Sequence, residues 1–161
     1  MRKIVTFLWF NDQAQEAVDF YVSLFDDAKI VNKSYLTESV AKEMEKNTGD
    51  LSTIDFELNG QNFTALNGGP MYSFSEAISI QVNCKTQEEV DFLWDSLSEG
   101  GEPIACGWLK DRFGVSWQIV PEILDIMMRD PDTAKADRVA SAMLGMLKLD
   151  ISELEKAYRG E

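Results

Sequence analysis

Two stretches decide the fold: NDQAQEAVDFYVSLF at residues 11–25 and NCKTQEEVDFLWDSL at residues 83–97. Asn11 matches Asn83, Gln15 matches Gln87, Glu16 matches Glu88, and Val18-Asp19-Phe20 matches Val90-Asp91-Phe92, all at an offset of 72 residues. An apolar run precedes each copy, IVTFLWF in the first and AISIQVN in the second. Each copy therefore reads as a strand followed by a helix. In the first helix Ala14, Ala17, Val18, Tyr21, Leu24 and Phe25 recur at helical spacing; in the second Val90, Leu93, Trp94 and Leu97 do. Thr86 with Glu89 forms a capping box, and Gly100-Gly101 stops the second helix.

Strands follow each helix. After the first come Lys29 to Leu36, then LSTIDFEL and QNFTALN around Asn59-Gly60, a dipeptide that marks a tight hairpin. After the second come a weak strand from Pro103 to Ala105, then GWLKD and GVSWQIV around a turn at Asp111 to Gly114. The residues between, TESVAKEMEKNTGD at 37–50, form a long loop or a short surface helix. Each half is thus β-α-β-β-β. The fold class is α+β, with two βαβββ modules forming a cupped mixed sheet around a cleft. The paired modules occupy residues 1–120 and a helical tail occupies 121–161.

Composition narrows the function. The 161 residues carry 28 acidic and 15 basic side chains, a net charge of −13. A field of that sign repels nucleic-acid phosphates and anionic lipid, so neither is an expected partner. The chain has no histidine. That removes Ser/His and Cys/His nucleophilic pairs and His-ligated zinc. Cys84 and Cys106 form no ligand-spaced cluster and read as small buried side chains in a reducing, cytoplasmic protein. The opening MRKIVTFLWF stops at Asn11-Asp12-Gln13. That is too short for a secretory segment, so it reads as a buried first strand. No run of ~18 apolar residues is present to span a membrane.

Strand alternation sorts side chains by face. In AISIQVN, Ile78, Ile80 and Val82 pack on the helix, which turns Ala77, Ser79 and Gln81 to the cleft. The repeat sets Phe7 with Ser79 and Trp9 with Gln81, leaving Leu8 and Phe10 inward. In GVSWQIV, Ser116 and Gln118 share one face. Phe7, Trp9, Ser79, Gln81, Ser116 and Gln118 are therefore the candidate ligand-binding residues, with Asn67 as a further amide. Aromatic walls with a few neutral hydrogen-bonding groups suit planar or amphipathic organic molecules. Candidate charges near the cleft are Glu57, Lys110, Asp111 and Arg112, with the turn carrying the last three read as solvated. Each assignment has a competing structural reading: Phe7 and Trp9 as core, Gln118 as a tied-down amide, Asn67 as a turn residue. Trp108 and Trp117 read as packing, and Glu16, Asp19 and Glu88 as solvated helix faces.

FLWF at 7–10, the EAVDFY helix, FTALNGGP at 63–70, EAISIQVNC at 76–84 and CGWLKDRFGVSWQIVP at 106–121 together resemble the PhnB-like proteins. These form a branch of the vicinal oxygen chelate superfamily, which includes glyoxalase I, extradiol dioxygenases and bleomycin-resistance proteins. The branch is often labelled 3-demethylubiquinone 3-methyltransferase-like, and the resemblance covers residues 3 to 121. It implies a small-molecule ligand and a homodimer. In the superfamily's metal enzymes, His or Glu ligands come from the first and last strands of each module. Those places fall here near Val5 or Thr6, near Ala77 and at Gln118, where neither a histidine nor a carboxylate stands. A nucleotide-type methyltransferase would need a glycine-rich turn after its first strand, and here that strand runs into Asn11-Asp12-Gln13. Two functions follow: metal-independent binding of a small, partly aromatic molecule with no cofactor, or a lyase, isomerase or oxygenase assisted by a divalent metal.

After Pro121 the pattern becomes helical. PEILDIMMRDPD ends a short helix at Asp130-Pro131. TAKADRVASAMLGMLKLD follows, with Val139, Ala142, Met143, Met146 and Leu147 at helical spacing. A third helix runs from Ile151 to Tyr158, capped by Asp150 or Ser152. This tail docks on its own sheet or on a second subunit, and is expected to take part in the dimer.

Overall fold

A computed structural model describes residues 4–161; the cations Arg2 and Lys3, at the start of the apolar opening, lie outside them. The chain divides into two compact units, residues 1–73 and 74–161.

In the first unit β1 (Thr6–Phe10) leads into α1 (Ala14–Leu24), then β2 (Ala28–Tyr35), a short α2 (Glu38–Glu43), β3 (Leu51–Leu58) and β4 (Gln61–Asn67). The sheet order is β1-β4-β3-β2, with β1 parallel to β4 and the other pairs antiparallel. The hairpin between β3 and β4 turns on Asn59 and Gly60, both at positive φ (45° and 82°). Asparagine and glycine tolerate that region best. Residues 37–50 carry the surface helix α2 rather than a plain loop. Ala14, Ala17, Val18 and Tyr21 of α1 are fully buried, and Leu8, Phe10, Ile54, Phe56, Phe63 and Ala65 fill the sheet face beneath them. The rings of Phe56 and Phe63 stack with centroids 5.2 Å apart.

The second unit repeats the plan. β5 (Ile80–Cys84), α3 (Gln87–Ser98), β6 (Glu102–Pro103), β7 (Trp108–Lys110) and β8 (Ser116–Pro121) form a sheet of order β5-β8-β7-β6, again with its first and last strands parallel. Thr86 caps α3 through the Glu89 amide, while Glu89 accepts from the Lys85 amide. Val90, Leu97, Leu109, Trp117 and Ile119 make its core. Ile78 departs from expectation. It is 76% exposed, because β5 begins only at Ile80 and the preceding residues turn.

Asp111 departs further. Read as solvated, it is only 3% exposed. Its Oδ1 accepts from the amides of Phe113 and Val115, and its Oδ2 accepts from the indole N–H of Trp117 at 2.8 Å. A carboxylate that accepts several N–H bonds satisfies its charge without water. It thereby closes the β7–β8 turn from inside.

The tail belongs to this unit. Its helices are α4 (Glu122–Met128), α5 (Thr133–Leu144) and α6 (Ile151–Arg159). Leu124, Met127, Val139, Leu149 and Leu154 form its core, with Val120, Met143, Met146 and Tyr158 packed around it. The second tail helix is shorter than its periodicity suggests. It ends at Leu144 with Gly145 as cap, so Met146 packs from a loop and Leu147 is 59% exposed. Asp150 caps α6 through the Glu153 amide. Arg138 of α5 donates to the Ala157 and Tyr158 carbonyls, covering the open C-terminal end of α6. The tail docks on its own module: Gln87 of α3 donates to the Leu149 carbonyl and accepts from the Ile151 amide, and Lys148 pairs with Asp91.

Asp111→Ala should lower unfolding stability by about 2–4 kcal/mol, because three donors, two of them backbone amides, lose one buried acceptor. Urea denaturation should show the midpoint falling with an unchanged slope; a midpoint within error of the parent would refute the role given to this carboxylate.

Candidate functional site

Each sheet has one face on its helix and one face turned away, and all the candidate residues but Asn67 belong with the second kind. In the first unit β1 alternates cleanly. Leu8 and Phe10 are buried, while Phe7 is 59% exposed and Trp9 half-buried on the opposite face. Register adds Thr64 beside Phe7, Leu66 beside Trp9, and Asp55 across from Thr64. The Thr64 hydroxyl donates to Asp55 at 2.6 Å. Glu57, on the same face, pairs with Lys29 at 3.6 Å.

Trp9 is held by the loop after β4. Its indole N–H donates to the Gly69 carbonyl at 2.8 Å, and its ring meets Tyr72 edge-on at 5.0 Å. Gly68 makes this possible: a Cβ there would lie 2.3 Å from the Trp9 ring. The Gly68 and Gly69 amides donate to Phe10 and Asn11, so the turn is fixed by backbone and packs an indole.

The structure does not bring Asn67 to the Phe7–Trp9 face. Alternation along β4 puts it with Phe63 and Ala65 on the helix side, 8% exposed. Its Oδ1 accepts from the Ala14 amide, the first donor of α1, and its Nδ2 donates to the Leu51 carbonyl. The amide is committed to joining α1 and β3, which corrects its grouping with the ligand-facing residues.

In the second unit the parallel register sets Gln81 beside Gln118, and the antiparallel register sets Trp108 across from Gln118 and Lys110 across from Ser116. Gln81, Ser116, Gln118 and Trp108 therefore share one face, and Ser79, just before β5, joins it through Gln118. The Gln118 amide donates to the Ser79 hydroxyl at 2.8 Å, and Gln81 donates to Asn83. Lys110 pairs with Glu76 at 2.7 Å and Glu102 at 3.2 Å. The hydrogen bond from Lys110 holds the Glu76 carboxyl below its ordinary range. On sequence Trp108 reads as packing and Lys110, a candidate charge near the cleft, as part of a solvated turn; register sets both on this face. Counting back by two from Gln118 and across the hairpin would have found both.

Among the described residues no three His, Cys, Asp or Glu side chains gather as metal ligands. The donor set at the expected places is a threonine, an alanine and a glutamine whose N–H end is turned to Ser79. Neutral groups of this kind do not fit a hard divalent cation, which prefers carboxylates. Cys84 offers no nucleophile. It is 1% exposed, and burial, aided by Glu89 and Glu122, pushes its thiol up to about 11. Cys106 is half-buried in a turn at φ +62°. Among the described residues, no helix is long and apolar enough to cross a membrane.

The family model described as 3-demethylubiquinone-9 3-methyltransferase matches residues 2–120. Among solved structures, the PhnB protein from Bacillus cereus is 35% identical, with 74% of this chain and 99% of that one covered and a TM-score of 0.66. A protein from Pseudomonas aeruginosa is 20% identical over 76% of this chain and 98% of that one, with a TM-score of 0.60. The fosfomycin resistance protein FosX from Listeria monocytogenes is 17% identical over 74% and 91%, with a TM-score of 0.50. The last two are likenesses of fold. No curated protein matches the chain.

Two measurements check this geometry. Gly68→Ala should expel the Trp9 ring, shifting tryptophan emission to the red and costing about 1–3 kcal/mol for the overpacking; an unaltered spectrum would contradict the contact. In native protein at pH 8 a thiol reagent should label Cys106 and leave Cys84 untouched, since roughly a thousandth of a thiol with that pKa is thiolate. Cys84 should label on unfolding or as pH approaches its raised pKa. Equal labelling of both at pH 8 would overturn the assignment.

Proposed function

The chain belongs to the 3-demethylubiquinone-9 3-methyltransferase family, in the PhnB-like branch of the vicinal oxygen chelate superfamily, and from that premise we propose that it binds a small, partly aromatic or amphipathic organic molecule without a metal. The reading is carried by one observation: Gln118, at a place where the superfamily's metal enzymes carry a ligand, uses its amide on Ser79 instead. The surrounding face supports the same reading. Ser79, Gln81 and Gln118 supply neutral donors and acceptors, and Trp108 supplies a ring. In the first unit Phe7 and Trp9 present a second aromatic surface. Such groups hold a ligand by stacking and a few directed hydrogen bonds, with specificity set by the polar ones.

The alternative is a metal-assisted lyase, isomerase or oxygenase. It requires a divalent cation held by Gln118 together with a carboxylate. Metal analysis of dialysed protein separates the two readings: a stoichiometric divalent ion favours the enzyme. A homodimer is the expected assembly, which light scattering measures directly.

Gln118→Ala should weaken retention of the resident ligand about tenfold, the worth of one well-made polar contact, while thermal unfolding stays cooperative. Native mass spectrometry of parent and variant, each purified from the protein's own host, reads the occupancy. A variant that melts without cooperativity would make Gln118 structural, and undiminished occupancy in a folded variant would remove it from the site.

A further inference from the structure

Among the described residues, one buried side-chain polar atom lacks a hydrogen-bond partner: the hydroxyl of Ser116. Ser116 is 3% exposed, so the hydroxyl is shielded from solvent as well. An unpaired buried hydroxyl is unfavourable and calls for an explanation. The other half of the molecule supplies a control. Thr64 holds the equivalent place on β4, and its hydroxyl donates to Asp55 on the neighbouring strand. Across from Ser116 that neighbour is Lys110, whose ammonium is engaged by Glu76 and Glu102. The same position is thus satisfied in one module and open in the other.

We propose that the Ser116 hydroxyl hydrogen-bonds the ligand, and that the ligand class is a neutral aromatic carboxamide or lactam. This rests on reading the Gln118 face as the binding surface. Gln118 turns its N–H end to Ser79, so its carbonyl end is the acceptor offered to a ligand N–H. Ser116, two residues earlier on the same face, donates to the adjacent ligand C=O. Trp108, across from Gln118, stacks the ring. Charge selects against the acid counterpart. Two carboxylates on one ammonium leave the Lys110 corner negative, which repels a carboxylate ligand.

The test titrates benzamide, benzoate and benzyl alcohol into the full chain, following the Trp108 indole and Gln118 side-chain resonances by NMR. Benzamide should bind at this face, with benzoate at least about tenfold weaker. Ser116→Ala should weaken benzamide about fivefold or more while raising the melting temperature of the ligand-free protein by roughly 2–4 °C, since an unpaired hydroxyl is removed. If Gln118→Ala weakens benzamide and Ser116→Ala does not, the assignment of Ser116 is overturned and the binding face stands. If benzoate binds as well as benzamide, the ligand class is wrong. If none of the three probes moves either resonance, the binding face itself is wrong.

Discussion

The carboxylate of Asp111 is the constraint on which the second module's geometry depends. A hairpin of three and six residues has little pairing of its own, and its strands could slip. By accepting from Phe113, Val115 and Trp117 at once, Asp111 fixes the turn and pins one side chain of β8 inward. Once Trp117 points to the core, alternation allows Ser116 and Gln118 only the other face. A slip of one residue would bury Gln118 against α3 and expose an indole. The polar face is therefore a consequence of a buried acid on the opposite side of the sheet.

Duplication gives both halves the same plan, and the two have diverged in how they use it. Gln15 and Gln87 each donate to an aspartate four residues on, Asp19 and Asp91. In the first unit that contact stays on an exposed helix face. In the second the same glutamine also grips the tail through Leu149 and Ile151, and Asp91 receives Lys148. One inherited side-chain pair thus became an anchor for helices that the first module lacks. Gly107 completes the anchor. A Cβ there would lie 2.7 Å from the Ile119 carbonyl and 3.0 Å from Leu149. The Gly107 amide donates to Leu147, joining the turn to the tail.

Much of this was legible from residue order. The β3 and β4 strands around Asn59-Gly60, the buried positions of α1 and the opposite faces of Leu8 and Trp9 follow from periods of 3.6 and 2. What escaped depends on contacts distant in sequence or on atoms that composition misreads. An aspartate followed by arginine in a turn looks solvated, yet Asp111 meets an indole six residues away. Asn67 before two glycines looks like a turn residue or a reader, yet its partner is an amide 53 residues earlier. Ile78 follows the apolar alternation of a strand that the chain does not yet form. Gly145 was a readable stop inside the Met/Leu stripe of the tail, and the periodicity on either side concealed it.

Two matching hydroxyls show how far the modules have diverged. Thr64 and Ser116 occupy matching places, and each needs an acceptor once buried. Asp55 supplies it in the first module, on a face whose other prominent groups are Phe7 and Trp9. In the second module the neighbouring strand offers an ammonium, which donates and cannot accept. Lys110 is drawn instead to Glu76 and Glu102, and Ser116 is left without a partner. A basic neighbour in place of an acidic one thus leaves a buried hydroxyl that an outside acceptor, as proposed above, would satisfy. The binding proposed at Ser116 calls on neither imidazole nor metal, because neutral molecules differ in the hydrogen bonds they can complete there.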